Sequence, residues 1–288
     1  MLRRAVLCLL GLISVFVSVA ALAQSVPRVR VELQVQGRDR LLVARNGGVA
    51  AMSLEVTLEL SRGVRSDRGS LLRAVVAPRS STTLARLTVS TQPGERRIGW
   101  RVRESLGDPR AVHSPAVRYR VPFAAGQRFR VTQAPGGRLT THVTPDAREA
   151  IDIVMPVGTP VLAARDGWVV DNVRYFGDGG PSRDLLMRAN YVRVYHDDGT
   201  WAVYAHLDSF SSAIAPGKRV RAGDELGKSG NSGYSSGPHL HFVVQKNGGT
   251  RPLSLPIRFL QADGGALTVR AGGWLTAPAG GRAGRPSP

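Results

Sequence analysis

The segment His239-Leu240-His241-Phe242 places two imidazoles two residues apart. On a strand, alternate side chains share a face, so His239 and His241 point one way while Leu240 and Phe242 point the other. Burying the two apolar residues would fix the strand and aim two nitrogens into one space. Val203-Tyr204-Ala205-His206-Leu207 repeats the pattern and predicts Tyr204 and His206 on a common face. His142 and Asp152 lie in a third segment, with Asp152 between Ile151 and Ile153. An ionised carboxylate between two residues that favour burial is costly unless it is paired or bound to a metal. Two imidazoles and one carboxylate fill three positions on zinc and leave a fourth for water, the arrangement of a catalytic site. Zinc lowers the pKa of such a water to about 7 and polarises a carbonyl. The other histidines would then serve as base and as transition-state donor. Spacing alone does not say which histidine does which job.

Cysteine offers no competing chemistry. The one Cys, Cys8, lies in the N-terminal apolar stretch, so stability cannot rest on disulfides and a metal site must use His and carboxylate. His113 stands alone in a polar stretch and His196 sits in the turn Tyr195-His196-Asp197-Asp198-Gly199; both read as exposed surface histidines. Gly233-Tyr234-Ser235-Ser236-Gly237 fits a nucleophile-elbow pattern, but Pro238 and a strand follow where a helix is needed. Gly227-Lys228-Ser229 resembles the end of a phosphate loop, yet Ala222 occupies the required first glycine position.

The elements that must position these residues are strands. Val29, Val31, Leu33 and Val35 alternate with polar residues, as do Leu54, Val56, Leu58 and Leu60. Ile98/Trp100/Val102 and Val117/Tyr119/Val121 repeat the period. Such runs, broken by Gly- and Ser-rich turns, predict an antiparallel β-sandwich over 24–123. Residues 124–261 hold short apolar strands divided by turn signals such as Asp198-Gly199 and Pro216-Gly217, and no sustained helical period. Residues 262–288, rich in Gly, Ala and Pro, read as a flexible tail. The expected class is all-β.

Residues 1–23 resemble a secretory signal. Arg3 and Arg4 form a charged region, Ala5 to Val19 an apolar stretch short for a membrane span, and Ala21-Leu22-Ala23 a small-x-small site before Gln24. Export is expected, with the periplasm favoured and no transmembrane span left after cleavage. The 288 residues carry 39 Lys+Arg against 21 Asp+Glu, a formal charge of +18, and 42% hydrophobic residues, which excludes wholesale disorder. Residues 24–130 hold 20 Arg and 8 acids, a net of +12. No aromatic-interleaved basic cluster of the kind that binds nucleic acid is present.

The ordered motifs are recognisable together. Thr141-His142, Ala150-Ile151-Asp152-Ile153 with Pro156-Val157-Gly158-Thr159-Pro160-Val161, Tyr204-Ala205-His206-Leu207, and Gly230-Asn231-Ser232-Gly233 through Gly237-Pro238-His239-Leu240-His241-Phe242 resemble the M23 (lysostaphin/LytM-type) zinc metallopeptidases over roughly 128–250. The resemblance implies an antiparallel β peptidase domain with a groove, one zinc ion, and hydrolysis of peptide bonds in peptidoglycan. It implies His142, Asp152 and His241 as metal ligands and His206 and His239 as the catalytic pair. The rival expectation is a non-catalytic peptidoglycan-binding or hydrolase-regulating protein that keeps the fold; intact His206 and His239 weigh against it. A third, a basic adhesion module, would bind through residues 28–122 and weaken with salt.

Three departures stand out. The His142–Asp152 spacing is wider than the compact form, and Glu149 stands where relatives with such an insertion have an aromatic residue. Residues 131–141 contain no Tyr to hold the oxyanion; Tyr204, placed beside His206 by alternation, would be a substitute.

Overall fold

The computed structural model describes residues 3–7, 29–37, 39–212 and 214–279. The chain forms two compact units, Met1–Asp108 and Pro109–Pro288. The only helix among the described residues is one 3-10 turn, Arg183–Leu185.

The first unit contains β1 (Arg3–Leu7), β2 (Val29–Gln36), β3 (Asp39–Asn46), β4 (Met52–Leu60), β5 (Val64–Ser66), β6 (Leu71–Val76), β7 (Ser80–Val89) and β8 (Ile98–Leu106). They make two four-stranded antiparallel sheets, ordered β1-β8-β4-β6 and β2-β3-β7-β5. On β4 the expected alternation holds, with Met52, Leu54, Val56 and Leu58 buried and their neighbours facing out. The facing sheet contributes Leu42, Ala44, Leu84 and Leu87 to the apolar interior. Asn46, buried on β3, donates its amide to the carbonyls of Val76 (3.1 Å) and Ala77 (3.0 Å) at the end of β6, tying one sheet to the other. The β2 run is less buried than its pattern suggests, since Val35 is 72% exposed at the edge of its sheet. The first residues of the expected export signal form β1, whose backbone pairs antiparallel with Ile98–Val102; the rest of that signal lies outside the described residues.

The second unit contains β9 (Arg128–Gln133), β10 (Ile151–Val154), β11 (Pro160–Leu162), β12 (Gly167–Val173), β13 (Gly179–Gly180), β14 (Tyr191–Tyr195), β15 (Trp201–Ala205), β16 (Arg219–Val220), β17 (Glu225–Lys228), β18 (Gly233–Tyr234), β19 (His239–Asn247), β20 (Pro252–Ser254), β21 (Phe259–Leu260), β22 (Ala266–Leu267) and β23 (Trp274–Thr276). Its main sheet runs β16-β12-β14-β15-β19-β10-β9-β23, with β20 beside β19. Ile151, Ile153, Tyr204, Leu240 and Phe242 face one core, and Tyr119, Phe123, Val161, Leu226 and Phe259 close over it. Each such side chain contributes roughly 1.5–3 kcal/mol on burial, which holds β10, β15 and β19 in register beneath the histidines.

Two expectations change here. Val117, Tyr119 and Val121 form no strand of the sandwich. Tyr119 makes an isolated bridge to Phe259 and sits with Val121 in the second unit's core, where an aromatic interior outcompetes strand alternation. The Gly/Ala-rich stretch after 262 is also no free tail as far as residue 279. It carries β22 and β23, and Leu275 is fully buried because β9 supplies a strand edge to pair with.

Candidate metal centre

The register of β10 on β19 sets Asp152 opposite His241 and Val154 opposite His239. Their alternates Ile151, Ile153, Leu240 and Phe242 are buried in the core. Asp152, His239 and His241 therefore share the sheet's outer face, as alternation requires. His142 arrives from the loop after β9. That loop is held by Thr141, whose N–H donates to Gln133 Oε1 (2.7 Å), and by the His142 N–H, which donates to Thr140 Oγ1 (3.2 Å).

The donor atoms of His142, Asp152 and His241 all lie within 4.8 Å of one another. His142 Nε2 is 3.3 Å and His241 Nδ1 3.0 Å from the Asp152 carboxylate. Donors about 2.0–2.1 Å from a tetrahedral ion stand about 3.3 Å apart, so the group has the dimensions of a zinc site. Burial pushes the Asp152 pKa up, but hydrogen bonds from His142 and His241 outweigh it and hold the carboxyl well below the usual range. It is a permanent anion at the bottom of the site.

His206 and His239 stand beside this group with ring centroids 4.5 Å apart, and His206 is 5.9 Å from His241. The Nδ1 of His206 lies 2.7 Å from the Ser232 carbonyl, and that of His239 lies 2.7 Å from the Gly237 carbonyl. A carbonyl only accepts, so both rings carry Nδ1–H and leave Nε2 open. Burial, then the neighbouring His239 and His241, push His206 down to about 4. It rests neutral at pH 7.

The chain reaches this arrangement by a local distortion. His206 has φ 61, a left-handed conformation that a non-glycine residue adopts at a cost of about 1–3 kcal/mol. This breaks the expected alternation. Tyr204 does not share a face with His206; it pairs with Phe242, is fully buried, and its Oη accepts the Ala164 N–H at 2.7 Å. Tyr204 is a core residue and no oxyanion donor. Gly230, bridged to His239, lets its backbone lie against Leu207 and Asp208, where a Cβ would fall 2.5 Å from the Asp208 nitrogen.

The two histidines read as exposed are not. His113 Nδ1 lies 3.1 Å from Asp198, and its side chain is 7% exposed. His196 is fully buried, with Nδ1 2.8 Å from the Asp166 carbonyl, and neither residue joins the metal group. Asp198 gathers Arg165 (2.7 Å) and Thr200 (2.6 Å) as well, a cluster assembled by tertiary packing. Burial pushes His196 down to about 4. The unfolded chain then binds a proton between about pH 6.5 and 4 that the folded one refuses, so this residue's contribution is whole above about 6.5 and fades as pH falls towards 4. The full loss is about 3 kcal/mol. Urea unfolding at pH 7 and pH 4.5 should show a smaller acid-induced loss for His196→Asn than for the wild type; equal losses would refute the assignment.

Residues 146–252 match Peptidase family M23, a span that includes Asp152, His206, His239 and His241. The chain carries an M23 peptidase domain. It is 36% identical over 124 residues to the DD-carboxypeptidase/endopeptidase Mpg of Neisseria meningitidis, covering 42% of this chain and 26% of the relative. It is 33% identical over 116 residues to the peptidoglycan DD-endopeptidase ShyA of Vibrio cholerae, covering 40% and 23%. Among solved structures, a mutant catalytic domain of the prophage-encoded M23 protein EnpA from Enterococcus faecalis is 27% identical, covers 47% of this chain and 94% of that one, and superposes with a TM-score of 0.35. The chain spans about a quarter of the length of these two curated relatives. The donor set His142, Asp152 and His241, of which His142 lies just before the matched residues, suits zinc.

Proposed function

We propose that this chain is an exported zinc endopeptidase that hydrolyses peptide bonds in peptidoglycan stem peptides or cross-bridges. The observation that carries the reading is one constellation: three donors within 4.8 Å, and beside them two imidazoles with Nδ1 on backbone carbonyls and Nε2 open. His142, Asp152 and His241 would hold the metal. Zinc bound there supplies Lewis-acid polarisation of the scissile carbonyl and a water that ionises near neutral pH. Of His206 and His239, one Nε2 takes the proton of the attacking water, and the other, protonated, donates to the developing oxyanion. The Ser232 and Gly237 carbonyls keep both rings aimed. Peptidoglycan as the substrate is supported by the relative named as acting on it.

Export is supported by Arg3-Arg4, the apolar run to Val19 and Ala21-Leu22-Ala23, with the mature chain starting at Gln24 in the periplasm. Among the described residues no helix is long and apolar enough to cross a membrane. The Arg-rich N-terminal unit serves as a spacer or a positioning module for the M23 domain.

Incubating the zinc-loaded protein with sacculi and resolving the soluble products by mass spectrometry tests the reading. Uncrosslinked or shortened muropeptides should appear, vanish with a chelator and return with zinc. Unchanged sacculi with zinc confirmed in the protein would refute it and favour a wall-binding role.

A further inference from the structure

The main sheet continues past the metal centre onto strands that the M23 match does not reach. On β9, Val131 is buried and Arg130 and Thr132 face away from the core. β23 pairs with β9 so that Trp274 sits opposite Arg130, 55% exposed, with the Arg128 guanidinium 4.5 Å above its ring. Two turns flank this face. One is closed by Gly137 N–H donating to the Ala134 carbonyl, the other by Gly273 N–H donating to the Arg270 carbonyl (both 3.1 Å). Gly136 and Gly272 supply the positive φ values (72 and 82) these turns need.

Between the turns lies a cavity of about 610 Å³ lined by Arg130, Arg138 and Arg270, with Thr132, Leu139 and Thr140. No carboxylate lines it, and none of the three guanidinium groups has an ion-pair partner among the described residues. Some arginines elsewhere find acids, such as Arg45 with Glu32 at 2.7 Å, and others such as Arg65 and Arg68 do not among the described residues; what sets these three apart is that they line one cavity. Three solvent-exposed guanidinium groups around one hollow make its field positive, and their planar forks suit a carboxylate.

The cavity is joined to the metal centre. Thr140 lines it and accepts the His142 N–H, and Gln133, two residues beyond Val131, sits opposite Asp152. One strand spacing and three residues along β9 amount to about 10–15 Å, the reach of three or four extended peptide residues. An anionic group here would belong to the same peptide whose bond lies at the metal.

We propose that the Arg130/Arg138/Arg270 cavity is a subsite for free carboxylates of an acidic peptide substrate, with the exposed Leu139 (92%) covering the peptide's apolar part. The assignment rests on the peptidase reading and makes the extra C-terminal strand a specificity element.

The test uses the zinc-loaded full chain, a triple variant carrying Arg130→Gln, Arg138→Gln and Arg270→Gln, and two crosslinked peptides that differ only in bearing free carboxylates or carboxamides. The wild type should cleave the acidic peptide with a KM about tenfold lower. The triple variant should raise that KM about tenfold, leave kcat within twofold, and leave the KM for the amidated peptide within twofold. Equal effects on both peptides, or none, would overturn the subsite. If the wild type cleaves neither peptide, the peptidase reading fails, and fluorescence anisotropy on chains carrying His239→Ala still decides the subsite. About tenfold tighter binding of the acidic peptide, lost with the three substitutions, supports it; equal binding overturns it. Displacement of the acidic peptide by poly(glycerol phosphate) at lower concentration than by unlabelled acidic peptide would overturn the carboxylate assignment in favour of a phosphodiester polymer.

Discussion

Replacing His239 with Ala should lower kcat/KM on a crosslinked peptide by about 10²–10⁴, the span expected for a lost general acid or base, while zinc stays at one per chain. The geometry separates the two effects. His239 Nε2 is 3.9 Å from the Asp152 carboxylate, and the three-donor group does not include it. Its strand is anchored by Leu240 and Phe242, both fully buried on the opposite face, so truncating the imidazole removes no core packing. Parallel measurements of metal content and turnover check this. Zinc lost together with activity would make His239 a ligand, and unchanged turnover would remove it from the chemistry. His206→Ala should cost a similar factor and leave the left-handed strain at φ 61 in place, since only glycine would relieve it.

The second large effect is expected at Asp152. Asp152→Asn keeps the size of the side chain but removes the charge between His142 and His241. Zinc affinity should fall at least about 100-fold, beyond the 10–100-fold that follows loss of an outer partner. Stability reports the same event. Zinc at 100 times its Kd should stabilise the wild type by about 2.7 kcal/mol, and Asp152→Asn should show no such zinc-dependent rise in Tm. The Asp152 carboxylate lies between two histidines, at 3.0 and 3.3 Å, so a structural ion pair is the rival reading. Calorimetry with and without zinc distinguishes a ligand from a structural ion pair: a rise in Tm that survives Asp152→Asn would overturn the assignment.

The strand bearing His239 and His241 was legible because its chemistry and its packing share one period. Asp152 was legible for the same reason, an acid between two core residues on β10. The position of His206 was not, because period two presumes extended backbone and His206 leaves it at φ 61. The burial of His113 and His196 escaped too, since both are enclosed by contacts distant in sequence: His113 reaches Asp198, and His196 reaches the carbonyl of Asp166. Composition misled at the C-terminus, where Gly, Ala and Pro suggested a free tail and an available edge at β9 drew Trp274–Thr276 into the sheet. The sandwich strands were readable from alternation, but which edges they occupy was set by pairing partners that no local pattern encodes.

The pairing of Asp152 with His241 joins positions 89 residues apart, and His142 comes from a third stretch of chain. A nascent chain made no further than Leu240 therefore carries two of the three donors and lacks the third. A fragment nicked between β10 and β19 that separates its halves is in the same condition. The complete three-donor set therefore exists only once β19 has been made and has paired with β10, 89 residues after Asp152.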